Sequence, residues 1–221
     1  LELAGRRTQG TTVGQCGPRT IATYIAPAIR AAAEAAGATI INTLSILREI
    51  VGSDGAQAIV SSCPRETQQL LGRTLMAVEW IGVDVWSPFL SAILERVAGR
   101  DEIKYRRIMR AVCKRDFSGL YRVYLQNADP LTLLAKVQSI WSAYFDSGSL
   151  SATTLESKNG QQQSLLELRG LESTAPIYLV TLHAYMEQLL IMVGAGKATV
   201  QRRRESHLDG RLACDFLVTL G

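Results

Sequence analysis

The hydrophobic period changes at Gly148, and that change constrains the fold more than any other feature of the sequence. Before it, apolar residues recur at every third or fourth position; after it, two pairs of strand-like runs enclose one apolar helix. SLSATTLES and QQQSLLELRG flank Lys158-Asn159-Gly160, and an Asn-Gly pair between such runs is a strong hairpin signal. KATVQRRRES and LACDFLVTL meet around Asp209-Gly210 as a second hairpin. Between the hairpins, Ile177 to Val193 is a helix rich in Leu and Met that closes at Gly194-Ala195-Gly196. The pattern predicts an α+β fold, a helical N-terminal half followed by a strand-strand-helix-strand-strand antiparallel sheet unit. No repeat of about 30 residues runs through either half, which argues against a solenoid.

The helical half reads as a series of short segments. Residues 1–19, rich in Gly, Thr and Arg without period, are expected to be a flexible lead-in to a single domain spanning 20–221. Thr20 to Ala36 is Ala-rich and favours helix, with Pro27 kinking it near the middle. Ile40, Leu44, Leu47 and Val51 mark a helix that ends at Gly52, Ser53 caps another through Cys63, and Pro64 opens the next. TLMAVEWIGVDVW has no clear period and precedes an amphipathic helix from Ser87 to Ala98. The longest helix is expected from Asp101 to Gln126, with Ile103, Ile108, Val112, Leu120 and Tyr124 apolar and Lys104, Arg107, Arg110 and Lys114 on another side. Asp129 caps a further helix whose apolar set, Leu133, Val137, Ile140, Trp141 and Tyr144, runs to Gly148.

Composition excludes several classes. With 221 residues, 47% of them hydrophobic and 20% charged, the chain can bury one sizeable core. A formal charge of +4 is too small an excess to point to nucleic acid. Cys16, Cys63, Cys113 and Cys214 are scattered with no CxxC pair, so neither a zinc ribbon nor a disulfide framework is expected, and a reducing cytoplasm is the simplest setting. No apolar run reaches the roughly 20 residues that span a bilayer. The chain begins at Leu1 with no signal-peptide pattern, which reads as an excised segment or a processed product.

Few motifs carry chemistry. GAGK at 194–197 has Ile191 where a phosphate loop needs its first glycine and Ala198 where it needs Ser or Thr, and it follows a helix rather than preceding one. His183 lies inside the apolar helix one turn from Glu187, which reads as a satisfied core or pocket histidine before a catalytic base or heme ligand. His207 and Cys214 lie across the second hairpin turn, and two ligands do not close a zinc site. Arg202, Arg203 and Arg204 on a strand point to alternate faces, as a solvated edge would, and the basic side from Lys104 to Lys114 reads as a solvated helix face before an anion or partner surface. Trp141, Tyr144 and Phe145, with Tyr121 and Tyr124, are either core or the lining of an apolar pocket.

The stretch from Gly119 to Leu150 followed by hairpin, helix and hairpin, and the closing pattern Gly210, Cys214, Phe216, Val218, resembles a bacterial branch of the 4-vinyl reductase-like domain family. The resemblance covers about residues 38–221 and implies a small-ligand-sensing or regulatory domain, with structural kinship to heme nitric-oxide-binding domains and to TRAPP subunits. The chain lacks the further cysteines that zinc-bearing relatives carry near the last one, and none of its tyrosines begins the Tyr-x-Ser-x-Arg signature of heme-binding relatives. Cys214 is therefore expected to be a core thiol at the start of the last strand.

These readings converge on a non-enzymatic sensory or regulatory domain that binds a small apolar molecule between helices and sheet. Tyr124, Trp141, Tyr144 and His183 are the candidate ligand-binding residues, with no catalytic residue, metal, heme or other cofactor and no nucleic-acid partner. The alternative is a dimerising scaffold or protein-interaction subunit of the TRAPP-like kind, and a homodimer or protein partner fits either reading.

Overall fold

A computed structural model describes residues 34–155, 157 and 160–221. The expected lead-in, the helix over 20–33 with its Pro27 kink, Cys16, and the turn residues Lys158 and Asn159 lie outside the described residues.

The helical half follows the sequence's punctuation, with three departures. Helix α1 (Gly37–Ser61) is bent at Gly52, whose φ of +74° suits a residue without a Cβ, so helix is left at Gly52 and resumed at Ser53 as the spacing predicts. Helix α2 (Arg65–Gly72) follows Pro64. The first departure is a two-stranded pair, β1 (Glu34–Ala36) with β2 (Trp80–Gly82), antiparallel, where the sequence predicts the end of an Ala-rich helix and an aperiodic stretch. Pairing between segments more than 40 residues apart overrides the local preference of alanine for helix, since propensity is a weak prior. Helix α3 (Val83–Ala92) consequently starts four residues before the expected Ser87, continuing through a π-turn at Ile93–Val97.

Helix α4 (Glu102–Ser118) is capped by Asp101, whose carboxylate accepts from the backbone N–H groups of Ile103 and Lys104 at 2.8 and 3.1 Å. The second departure is its end, at Gly119 rather than Gln126, with a 3-10 segment at Leu120–Leu125. The third is its rotation: the buried stripe is Tyr105, Met109, Val112, Cys113, Asp116 and Phe117, whereas Ile103 is exposed. Helix α5 (Pro130–Ala135) is capped by Asp129 through the Thr132 N–H at 2.8 Å, and α6 (Val137–Tyr144) ends four residues before Gly148.

After Gly148 the expected unit is present. Strands β3 (Ser149–Thr154), β4 (Gln162–Glu172), β5 (Thr199–Leu208) and β6 (Arg211–Leu220) form one antiparallel sheet in the order β3-β4-β6-β5. Asp209 and Gly210 have φ of 50° and 72°, the tandem left-handed pair that a two-residue hairpin turn demands. Helix α7 (Ile177–Met192) runs between the sheet and the helical half and is buried on nearly every side. It meets α4 through Tyr105 with Thr181 and meets the sheet through His183 with Val200 and Phe216. Edge strand β5 carries the arginine run, with Arg202 paired to Glu102 at 2.6 and 2.7 Å and Arg203 and Arg204 exposed. Among the described residues no helix is long and apolar enough to cross a membrane.

Candidate functional site

A cavity of about 50 Å³ lies where α7 crosses the inner face of the sheet. Leu150, Leu168 and Leu171 contribute its sheet side, and Tyr178, Leu182, Tyr185, Met186 and Leu189 its α7 side. Trp86 from α3, Phe117 from α4, and Ile140, Trp141 and Tyr144 from α6 complete it together with Thr39 and Phe145. The inner surface is carbon because nearly every polar group on these side chains is engaged elsewhere. Tyr178 donates to the Val83 carbonyl at 2.6 Å, Thr181 to the Ile177 carbonyl at 2.9 Å, and the Trp141 indole to the Ser147 carbonyl at 2.9 Å. Tyr144 packs at 4.4 Å from Tyr121 and Trp141 at 4.4 Å from Phe145.

The other three wall hydroxyls converge on one buried carboxylate. Asp116 Oδ2 accepts from Tyr185 at 2.8 Å, Thr39 at 3.1 Å and Tyr144 at 3.3 Å, and Oδ1 accepts from the Asn42 amide at 2.5 Å. Asp116 is 1% exposed. Burial outweighs the four hydrogen bonds and holds its carboxyl above the ordinary range. Burial likewise pushes the Tyr144 and Tyr185 hydroxyls well up, with the adjacent Asp116 charge adding to it. Sequence reasoning passed over Asp116, yet a signal was present: it occupies the buried stripe of α4 three residues after Cys113, a lone acid at apolar spacing.

The four candidate ligand residues separate into two pairs. Trp141 and Tyr144 lie on the cavity wall. Tyr124 is half-buried on the 3-10 segment, 6.4 Å from Tyr121 by ring centroid, and is not part of that wall. His183 also lies outside it, with Nε2 at 2.9 Å from the Val200 carbonyl. Arg106 Nη1, a donor only, stands 3.1 Å from the same nitrogen, so Nε2 meets one acceptor and one donor. Glu187 stands 3.4 Å from the same nitrogen and binds Arg106 at 2.6 Å, so the histidine belongs to a polar seam joining α4, α7 and β5. Desolvation opposes ionisation of Glu187, but its bonds and charges from His183 and Arg106 hold its carboxyl below the ordinary range.

Cys214 is 1% exposed, and burial pushes its thiol up to about 12. In the β5–β6 register it stands opposite Glu205, while His207 stands opposite Leu212, so the hairpin does not bring His207 and Cys214 together as a pair. Among the described residues no group of three or more His, Cys, Asp or Glu side chains is arranged to hold a metal ion.

No protein-family model matches the sequence, and no curated protein matches it. Solved structures do match in fold, H-NOX domains among them. A Cs H-NOX variant bearing 4-cyano-phenylalanine superposes with a TM-score of 0.65 at 14% identity, over 84% of this chain and 96% of that one. A point variant of T. tengcongensis H-NOX gives 0.60 at 13% identity, over 83% and 96%. An oxygen-binding H-NOX domain related to soluble guanylate cyclases, solved as its oxygen complex, gives 0.57 at 13% identity, over 83% and 94%. The chain therefore has the H-NOX fold, in line with the kinship implied by its sequence pattern.

Proposed function

We propose that this chain is a non-catalytic, ligand-responsive domain that binds a small apolar molecule in the cavity between α7, the helices and the sheet. The observation that carries this reading is a carbon-lined cavity whose wall hydroxyls are turned onto protein acceptors, three of them onto Asp116. Such a wall gives no purchase for general acid-base or nucleophilic chemistry and favours a guest that needs little hydration. Trp141 and Tyr144 are the residues from the sequence reading that take part, and Leu168, Leu189 and Met186 join them. Membership of the 4-vinyl reductase-like family, which the closing pattern of the sequence suggests, would accord with this role, and buried free thiols at Cys63, Cys113 and Cys214 accord with a reducing cytoplasm.

Heme, which the H-NOX neighbours bring into question, does not fit the residues present. One of these neighbours comes from work on modulating heme redox potential through porphyrin distortion, and it matches at 14% identity with a TM-score of 0.63, over 83% of this chain and 94% of that one. Here 50 Å³ is room for roughly four water-sized spheres, not for a macrocycle. The wall has no imidazole, no thiolate and no Lys or Arg to meet carboxylates, and its three tyrosine hydroxyls already donate to protein acceptors.

Xenon, an apolar guest of suitable size, tests the reading. Saturable binding seen by xenon NMR, and abolished by Leu189→Phe, which fills the cavity from a fully buried position, is the expected result. A xenon signal that is linear in pressure for the unsubstituted chain would overturn it.

The second reading, a dimerising scaffold, is favoured by one feature: Met76 and Val78, 64% and 74% exposed, project from a single loop beside β2. The partner in that reading is a second copy of this chain. Native mass spectrometry finding only monomer at tens of micromolar would remove it.

A further inference from the structure

We propose that the exposed side of α4, with the groove at its C-terminal end, is a docking surface for a protein partner whose binding segment carries carboxylates beside an apolar anchor. The surface backs onto the cavity, since Phe117 lines both, but its chemistry is independent of any guest there.

Ionic pairing divides the cations of this region. Lys104, Arg106 and Arg115 on α4 and Arg202 on β5 each have a carboxylate within 4.0 Å, from Asp101, Glu187, Glu49 and Glu102. Arg107, Arg110 and Lys114, and Arg122 on the 3-10 segment, have no carboxylate at ion-pair distance among the described residues. Arg110 is tethered to Gln188, 3.4 Å from its Nε, while Arg107, Lys114 and Arg122 are exposed. Positions 107, 110 and 114 are three and four residues apart, so they share one side of the helix over about 10 Å. Ser118 continues that side to the end of α4.

There the side opens into a groove of about 460 Å³ lined by Phe117, Ser118, Arg122, Leu125, Gln126 and Met192. Helices α4 and α7 both end beside it, at Ser118 and Met192. A helix C-terminus disfavours a nearby anion, so the groove is the place for an apolar side chain, and the carboxylates fall back along α4 over Lys114, Arg110 and Arg107. Cations of one sign without partners repel one another, and an acidic segment laid along them relieves that repulsion while fixing its own register. The concave end receives a side chain and excludes a flat bilayer. Phe117, the one ring among the groove's lining residues, is 1% exposed, so it offers no face on which a base could stack.

The probe is a fluorescein-labelled peptide, Glu-Asp-Glu-Leu-Glu-Asp-Leu-Leu, titrated with the chain and followed by fluorescence anisotropy. Two controls replace its acids by their amides or its leucines by alanine. The acidic leucine peptide should bind saturably and more tightly than either control, and should weaken as ionic strength rises. Arg107→Gln/Lys114→Gln alters two exposed side chains and should weaken it about three- to tenfold, the size of two exposed charge pairs. Ser118→Trp, which fills the groove from its exposed rim, should weaken the leucine peptide and leave the alanine peptide unchanged. No saturable binding of the acidic leucine peptide, an amide control that binds as tightly, or an affinity unmoved by Arg107→Gln/Lys114→Gln would each overturn the proposal. An affinity unmoved by Ser118→Trp would overturn the groove as the anchor's seat. Phosphatidylserine vesicles and a single-stranded oligothymidylate go through the same titrations. If either binds with sensitivity to Arg107→Gln/Lys114→Gln while the acidic peptide does not bind, the surface reads a membrane or a nucleic acid and the proposal is wrong.

Discussion

Replacing Asp116 by asparagine keeps shape and removes charge, and the hydrogen-bond count fixes what should follow. The carboxylate serves four donors, three at Oδ2 and one at Oδ1. Three hydroxyls share the two lone-pair sites of Oδ2 because that oxygen carries negative charge; a neutral asparagine carbonyl in its place keeps two of them and leaves one unpaired. Its amide then faces the Asn42 amide, which must turn its own oxygen inward to avoid opposing donors. One orphaned buried donor costs about 1–3 kcal/mol, and two bonds falling from charged to neutral strength cost about 1 kcal/mol each. Against this, the variant no longer buries a charge, which offsets part of the loss. The net expectation is destabilisation by about 2–3 kcal/mol at pH 7, or about 4–12 °C in Tm for a domain of this size. Urea unfolding followed by tryptophan fluorescence measures it as a lower midpoint with unchanged slope. The pH dependence gives a second reading. Because burial raises the folded-state pKa of Asp116, the folded chain holds this proton more tightly than the unfolded one. The contribution of this carboxyl to stability is therefore greatest in acid and declines as pH climbs from the ordinary carboxylate value through the raised one. The stability gap between the unsubstituted chain and Asp116→Asn should narrow across that window and stay level above it. A variant as stable as the parent at pH 7, or more stable, would refute the account of Asp116 as the acceptor that organises the wall.

Three further outcomes follow from the same geometry. Cys214→Ser should destabilise by about 1–3 kcal/mol because a hydroxyl would sit in an apolar site, and the Cys214 thiol should resist alkylation until the chain is unfolded, both read by denaturation and mass spectrometry. Gly148→Ala should cost about 2–4 kcal/mol, seen as a lower urea midpoint: φ is +70° there, and a Cβ would stand 2.8 Å from the Leu171 nitrogen and 2.9 Å from the Arg169 oxygen. Hemin added to the purified chain should leave its free-state absorption spectrum unchanged, and a sharpened band titrating to one equivalent would contradict the misfit argued from the wall residues.

What could be read in advance depended on the range of the interaction that decides each feature. The second hairpin was legible because Asp209-Gly210 meets a local backbone demand, and Gly52 was legible because a helix break is likewise local. Strands β1 and β2 were not, because each is too short to carry a pattern and exists through its pairing with the other. The rotation of α4 was misread for a related reason. Ile103 is apolar but lies exposed in the first turn, while Tyr105 and Asp116 are polar in name and buried because Thr181, Thr39 and the two tyrosines complete them.

The candidate site follows the same division. Trp141 and Tyr144 could be picked out because aromatics at helical spacing seek the interior. Tyr124 had the same credentials, yet on the 3-10 segment after Gly119 it is Tyr121 that packs on the wall residue Tyr144, at 4.4 Å, while Tyr124 lies one ring further out. By drawing the hydroxyls of Thr39, Tyr144 and Tyr185 away from the cavity, a carboxylate that does not line the wall leaves its inner surface to carbon. The polarity that a guest would meet is thus set one layer behind the surface it touches.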